Sequence, residues 1–227
     1  VEAVNTNNMK NLNMHAIRIA AALATSLLAA PAAQATDAHV GVGIFGPIVG
    51  ASTAVGNGIT LRGDFSGGLS TTRDGREGNV DYTGKIKASR VGGYLDWHPF
   101  TGVFRVSAGV SFNDVKLNLN GRGGNSTING KPVDLTKETF NLNVKYPSTT
   151  PYLGMGWGHG QGTDAGFGFF ADFGVLFGSF KATATTTAVG KNGITQADVD
   201  AEVADAMSSV NKVKVLPVVQ LGLTYRF

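Results

Sequence analysis

Three histidines, His39, His98 and His159, are the side chains best suited to act as a general base or as metal ligands. None stands in a recognisable motif, and although the three can meet at one rim of a folded chain, their spacing is a weak metal signature. Six other residues, Arg62, Asp64, Arg90, Asp96, Arg105 and Asp172, are charges set among apolar neighbours, where pairing with one another is the chemistry open to them. Without cysteine there is no disulfide framework and no thiolate metal site. No glycine run has the strand–helix setting of a nucleotide loop, so no cofactor is expected. The formal charge of +3 is small and its lysines and arginines are scattered, which leaves nucleic acid without a basic patch to bind.

The elements that position these residues are strands. Phe104, Val106, Ala108, Val110 and Phe112 alternate with Arg105, Ser107, Gly109, Ser111 and Asn113. Phe167, Phe169, Ala171, Phe173, Val175 and Phe177 form a second file facing away from Asp172 and Gly174, and Phe140, Leu142, Val144 and Tyr146 a third. A period of two marks strands with unlike faces. A soluble sandwich turns its apolar face inward; a membrane barrel turns it to lipid and keeps a polar interior. The six charges lie opposite the apolar files, which assigns them to a lumen network. After Asn113-Asp114 the apolar phase moves to Val115, Leu117 and Leu119, which predicts a bulge.

The two ends of the chain point the same way. Lys10, His15 and Arg18 precede an alanine-rich apolar run from Ile19 to Ala30, and Ala33-Gln34-Ala35 supplies the small residues of a signal-peptidase site. That run is shorter than the ~20 residues of a permanent membrane helix. Residues 1–35 therefore read as a non-native leader, Val1 to Asn8, plus a signal peptide, and 36–227 as one barrel domain. At the other end, Val213 to Phe227 alternates strictly and stops on an aromatic.

Trp97 and Phe104 flank a short turn, Trp157 precedes another, and Tyr225 and Phe227 lie at the terminus, so these five are assigned to an aromatic girdle at one rim. Residues 71–79, 120–134 and about 190–211 read as outer loops. The last carries a capping box, Thr195 with Asp198, and apolar residues at Val199, Val203, Met207 and Val210, hence one short amphipathic helix. Strands are expected near 48–55, 58–71, 80–97, 103–119, 138–157, 166–178 and 213–227. That is seven where an even number is needed. The eighth lies in 38–46 or in 181–189, and the girdle favours the first. The fold class is an all-β, transmembrane antiparallel barrel of eight strands.

Four stretches also resemble a known group: Tyr94-Leu95-Asp96-Trp97-His98-Pro99-Phe100, Phe104 to Gly109, Pro151 to Gly158, and Leu221 to Phe227. They are similar to the small outer-membrane β-barrel proteins of Proteobacteria, akin to the eight-stranded OmpA-type and OmpW-type barrels. The resemblance implies a place in the outer membrane among lipid and lipopolysaccharide, and it implies that Phe227 is a signal read by the barrel assembly machinery. It carries no catalytic signature.

The function expected is a structural or surface-interaction barrel whose surface ligand is unspecified and which has no catalytic role. A narrow porin-like channel is the first alternative, because the same six charges can line a polar path. A lipid-modifying enzyme is the second, because some small barrels act on lipid and a histidine beside a serine or carboxylate would serve it.

Overall fold

A computed structural model describes residues 36–77, 80–100, 102–159, 165–208 and 210–227. The leader and signal peptide expected over 1–35 lie outside the described residues. In chain order the elements are β1 (Thr36–Gly43), β2 (Gly46–Gly56), β3 (Ile59–Glu77), β4 (Val80–Trp97), β5 (Phe104–Arg122), β6 (Asn125–Ile128), β7 (Lys131–Asp134), β8 (Phe140–Lys145), β9 (Thr149–Trp157), β10 (Gly166–Phe177), β11 (Lys181–Thr186), α1 (Gln196–Met207), a 3-10 turn (Val210–Lys212) and β12 (Val215–Arg226).

Eight of these strands close a ring, β1-β2-β3-β4-β5-β9-β10-β12, with β12 returning to β1 and every pairing antiparallel. Closure leaves no unpaired sheet edge in the ring, the condition for a β structure in lipid. β1 supplies the eighth strand, at the N-terminal of the two places considered. The 181–186 segment is a strand too, but it continues β10 past a break and pairs with β8, so it adds no crossing. Thr36, the first described residue, meets the C-terminus: the Phe227 amide donates to the Thr36 carbonyl at 3.1 Å, and Arg226 pairs with Asp37 at 2.7 Å. The short β2–β3 and β4–β5 turns lie at this same end, since Ile59 pairs with Trp97 and Phe104 with Trp157.

The outward files are apolar around the ring. Val40, Leu61, Leu95, Phe112, Leu153, Leu221 and Leu223 are all exposed, and Phe167 and Phe169 reach 84% and 81%. A continuous apolar surface of this kind suits lipid, not water. On β4 and β5 the band ends where Asp114 pairs with Lys116 at 2.6 Å and with Lys87 at 3.3 Å. From Trp97 to Lys87 a tilted strand climbs about 25 Å along the barrel axis, the height of a hydrocarbon band.

Three local expectations are corrected. β5 carries no bulge at Asn113-Asp114: it runs in unbroken register with β4 from Trp97↔Val106 to Asp81↔Arg122. Val115, Leu117 and Leu119 therefore share the inward file of Arg105, and the interior itself changes from polar to apolar toward the outer end. The bulges lie at Gly67/Leu69 of β3, where Gly68 has φ 95°, and at Ala54/Gly56 of β2. Residues 71–77, read as a loop, extend β3. The strand expected over 138–157 breaks between β8 and β9 around Pro147, which has no amide proton for the ladder.

The outer end is roofed by structured chain. The β6–β7 hairpin turns on Asn129 (φ 49°) and Gly130 (φ 74°), the paired positive angles of an Asn-Gly turn. Its Ile128 and Val133 pack with Val80, Ala184, Ile194 and Val199 into a small core. α1 opens on the Thr195–Asp198 capping box. The Asp198 carboxylate also accepts from Lys131 at 2.7 Å and Asn129 at 2.9 Å, which ties helix to hairpin. Bonding to Lys131, then to Thr195 and Asn129, holds this carboxyl below the usual carboxylate range.

Candidate functional site

Alternation places one charged or polar file of each strand inside the ring. β3 contributes Arg62 and Asp64, β4 Arg90 and Asp96, β5 Arg105, and β10 Asp172. None is more than 4% exposed. Arg62 is the hub. Its Nε donates to Asp96 Oδ2 at 2.7 Å and its Nη2 to Asp96 Oδ1 at 3.2 Å, a bidentate fork. Its Nη1 lies 3.3 Å from Asp64 Oδ2 and 3.5 Å from Asp172 Oδ2. Arg105 reaches Asp172 through Nη2 and Asp96 Oδ2 through Nε at 3.2 Å. Arg90 joins from the outer side, 3.4 Å from Asp64 Oδ1, and donates to the Tyr94 hydroxyl at 2.6 Å, which donates in turn to Asp64 at 3.2 Å.

Three guanidinium groups and three carboxylates make a set of no net charge. Desolvating any one alone costs several kcal/mol, so they hold only as a group. The Tyr94 ring lies under Arg62, 4.2 Å from Cζ to the centroid, and meets Tyr152 edge-on at 4.8 Å. Room for these rings comes from missing side chains: a Cβ at Gly92 would overlap the Tyr94 hydroxyl, and one at Gly174 the Tyr152 hydroxyl. The two tyrosines fill the interior between the Arg62 hub and Arg90 and pack in one apolar cluster with Phe45, Leu176 and Val218.

The three histidines are on the side of the lumen where Thr36 and Phe227 meet, and only two touch each other. His39 and His159 contact edge-on at 4.5 Å between centroids, both against Phe170. His98 stands apart, its Nε2 3.2 Å from Thr60 Oγ1. The backbone of Gly102 and Phe104 bonds the same ring, so His98 is held within its own turn between β4 and β5. Among the described residues no three histidine or carboxylate side chains are grouped to hold a metal ion.

Trp97, Phe104, Trp157, Tyr225 and Phe227 lie at the rim where Thr36 and Phe227 meet. Phe104 packs at a tilt on Trp157 at 5.5 Å, and Tyr225 meets Phe227 at 5.0 Å and Phe167 at 4.8 Å. Sequence reasoning missed Tyr94, Tyr152 and the rim pair Asp37–Arg226. Tyr94 and Tyr152 were open to it: each keeps the parity of a lumen residue, Tyr94 with Asp96 and Tyr152 with the Gly154 and Gly156 that make space beside it.

No protein-family model matches the chain, and no curated protein matches it. Solved structures do. Acinetobacter baumannii CarO superposes with a TM-score of 0.52 at 19% identity, covering 84% of this chain and 97% of that one. Acinetobacter baumannii CarO2 gives 0.56 at 19%, covering 85% and 98%. The chain has the CarO barrel fold. Nearly the whole of each CarO chain is matched. The architecture is that of an outer-membrane β-barrel.

Proposed function

We propose that the protein is an outer-membrane barrel closed across its middle, which acts through its outer surface and not through an open pore. The observation that carries this is the contact of Arg62 with Asp172. β3 and β10 are four steps apart in either direction around an eight-membered ring, so this 3.5 Å contact bridges the full diameter. An eight-stranded barrel has an interior just wide enough for side chains, and here the hub arginine fills it. The structured roof of hairpin and helix is then the part offered to the outside. Kinship with OmpA-type and OmpW-type barrels belongs to the same reading, as do lipid and lipopolysaccharide neighbours and recognition of Phe227 by the barrel assembly machinery.

The reading is non-catalytic: His39 and His159 pack on each other against Phe170, and His98 bonds Thr60 and the backbone of its own turn. A porin-like role would need the diameter to be clear. Liposome swelling with small sugars and amino acids tests the point. Vesicles holding the refolded protein should swell no faster than empty ones, and rapid swelling would overturn the closed-barrel reading.

A further inference from the structure

The outer half of the barrel wall has a gap. β2 pairs with β3 as far as Ile48 opposite Ser66, and the β1–β2 hairpin turns there, at Ile44-Phe45. From Leu69 to Glu77, β3 is paired to β4 alone. The inner files beside this gap are apolar. On β4 the inward residues run Val80, Tyr82, Gly84, Ile86, Ala88, Arg90. Val80 and Ala88 are buried at 4% and 5%, yet Ile86 between them is 40% exposed, and Leu69, opposite Ala88, is 39% exposed. Two apolar side chains that point inward and still reach the outside define a window between the roof core and the tyrosine layer.

Arg73 stands above that window. It pairs with Gly84 on β4, and cross-strand partners share a face, so it belongs to the inner file of Leu69 and Thr71. A Cβ at Gly84 would meet Leu119, which confirms that this face is the inward one. Arg73 is exposed and makes no ion pair among the described residues, unlike its neighbour Arg76, which pairs with Asp81 at 2.7 Å. Leu69 lies level with the Lys87–Asp114–Lys116 charges that end the apolar band, Ile86 about 5 Å above it, and Arg73 about 10 Å above it, at headgroup depth. Below the gap, Val42 (64% exposed) and Ile44 (45%) continue the lipid-facing surface of β1 up to its sill.

We propose that the gap is a docking site for one outer-leaflet lipid whose headgroup carries a net-anionic phosphomonoester, as lipid A does. An acyl chain runs over Val42 and Ile44 and turns in against Leu69 and Ile86, and the phosphate is held by Arg73, whose planar fork matches phosphate oxygens. This rests on the reading that the apolar band spans the membrane with the Thr36–Phe227 rim on the inner side.

The test uses the full chain, refolded, stripped of lipid in detergent and placed in phosphatidylcholine vesicles doped with lipid A. Native mass spectrometry then counts the lipid that stays bound. The wild type should hold one lipid A and no phosphatidylcholine. Arg73→Gln, an exposed change, should weaken retention by about tenfold, as loss of one charge-assisted contact implies; Ile86→Asp should abolish it, and Arg76→Gln should leave it intact. Equal retention by wild type and Arg73→Gln overturns the proposal, as does equal binding of phosphatidylcholine. Wild-type protein that never becomes heat-modifiable overturns the membrane reading and the gap with it, whereas heat-modifiable protein without bound lipid overturns the gap alone.

Discussion

Arg62 Nη1 and Asp172 Oδ2 meet at 3.5 Å across the widest span of the ring, from β3 to β10. Through the same guanidinium Arg62 holds Asp96 in a fork and touches Asp64, so one side chain ties three strands together inside the barrel. Burial makes this arrangement all-or-none: each charge is tolerable because the others are present.

Arg62→Leu should therefore lower stability by about 3–5 kcal/mol, because three carboxylates lose their hub in a buried site. Arg105→Leu strips two carboxylates of a partner and should also cost several kcal/mol. Arg76→Leu breaks an exposed pair and should cost less than about 1 kcal/mol. Heat-modifiability on gels, run as a melting series in detergent, ranks the three; equal melting would count against a structural network.

Gly174→Ala places a methyl where the Tyr152 hydroxyl lies and should destabilise by about 1–3 kcal/mol. Tyr152→Leu should remove most of that penalty, so the double variant should be more stable than the two single losses sum to. Strict additivity in a double-mutant cycle would show that the ring is not packed against Gly174.

The roof should respond to acid in one direction. The Asp198 carboxyl is held below its ordinary range in the folded protein, so its contribution is complete above the unfolded value of about 4 and is lost as pH falls through the lower folded value. Amide exchange over 125–134 and 196–207 should stay slow at pH 5 and rise only in strongly acid solution. Asp198→Asn should raise it at neutral pH, and an unchanged exchange rate in that variant would refute the tie between helix and hairpin.

Trp97 and Trp157, the two tryptophans of the chain, face outward at the rim and are 57% and 41% exposed. In vesicles both should be quenched by lipids brominated near the headgroup end of the acyl chain and resist iodide in the buffer. The reverse pattern would place this rim in water.

Much of the barrel was legible in the sequence because lipid and lumen demand opposite chemistry of neighbouring residues. Arg105 between Phe104 and Val106, or Asp172 between Ala171 and Phe173, declares its face by parity alone. What parity hides is a change of environment on one face. Val115, Leu117 and Leu119 look like a lipid-facing file moved by one residue, but they are inward residues in a region where the roof and tyrosine layer supply an apolar interior. Leucine reads the same in either place. The His39–His159 contact was illegible for a different reason: it joins β1 to the end of β9, and only the closing of the ring brings them together.

Single-channel recording tests the central claim most directly. Wild-type protein inserted in a planar bilayer should give no steady unit conductance, and Arg62→Leu, with its diameter contact removed, should give brief openings or leak. A stable ohmic step from the wild type, unchanged in Arg62→Leu, would contradict a barrel closed by Arg62 and Asp172.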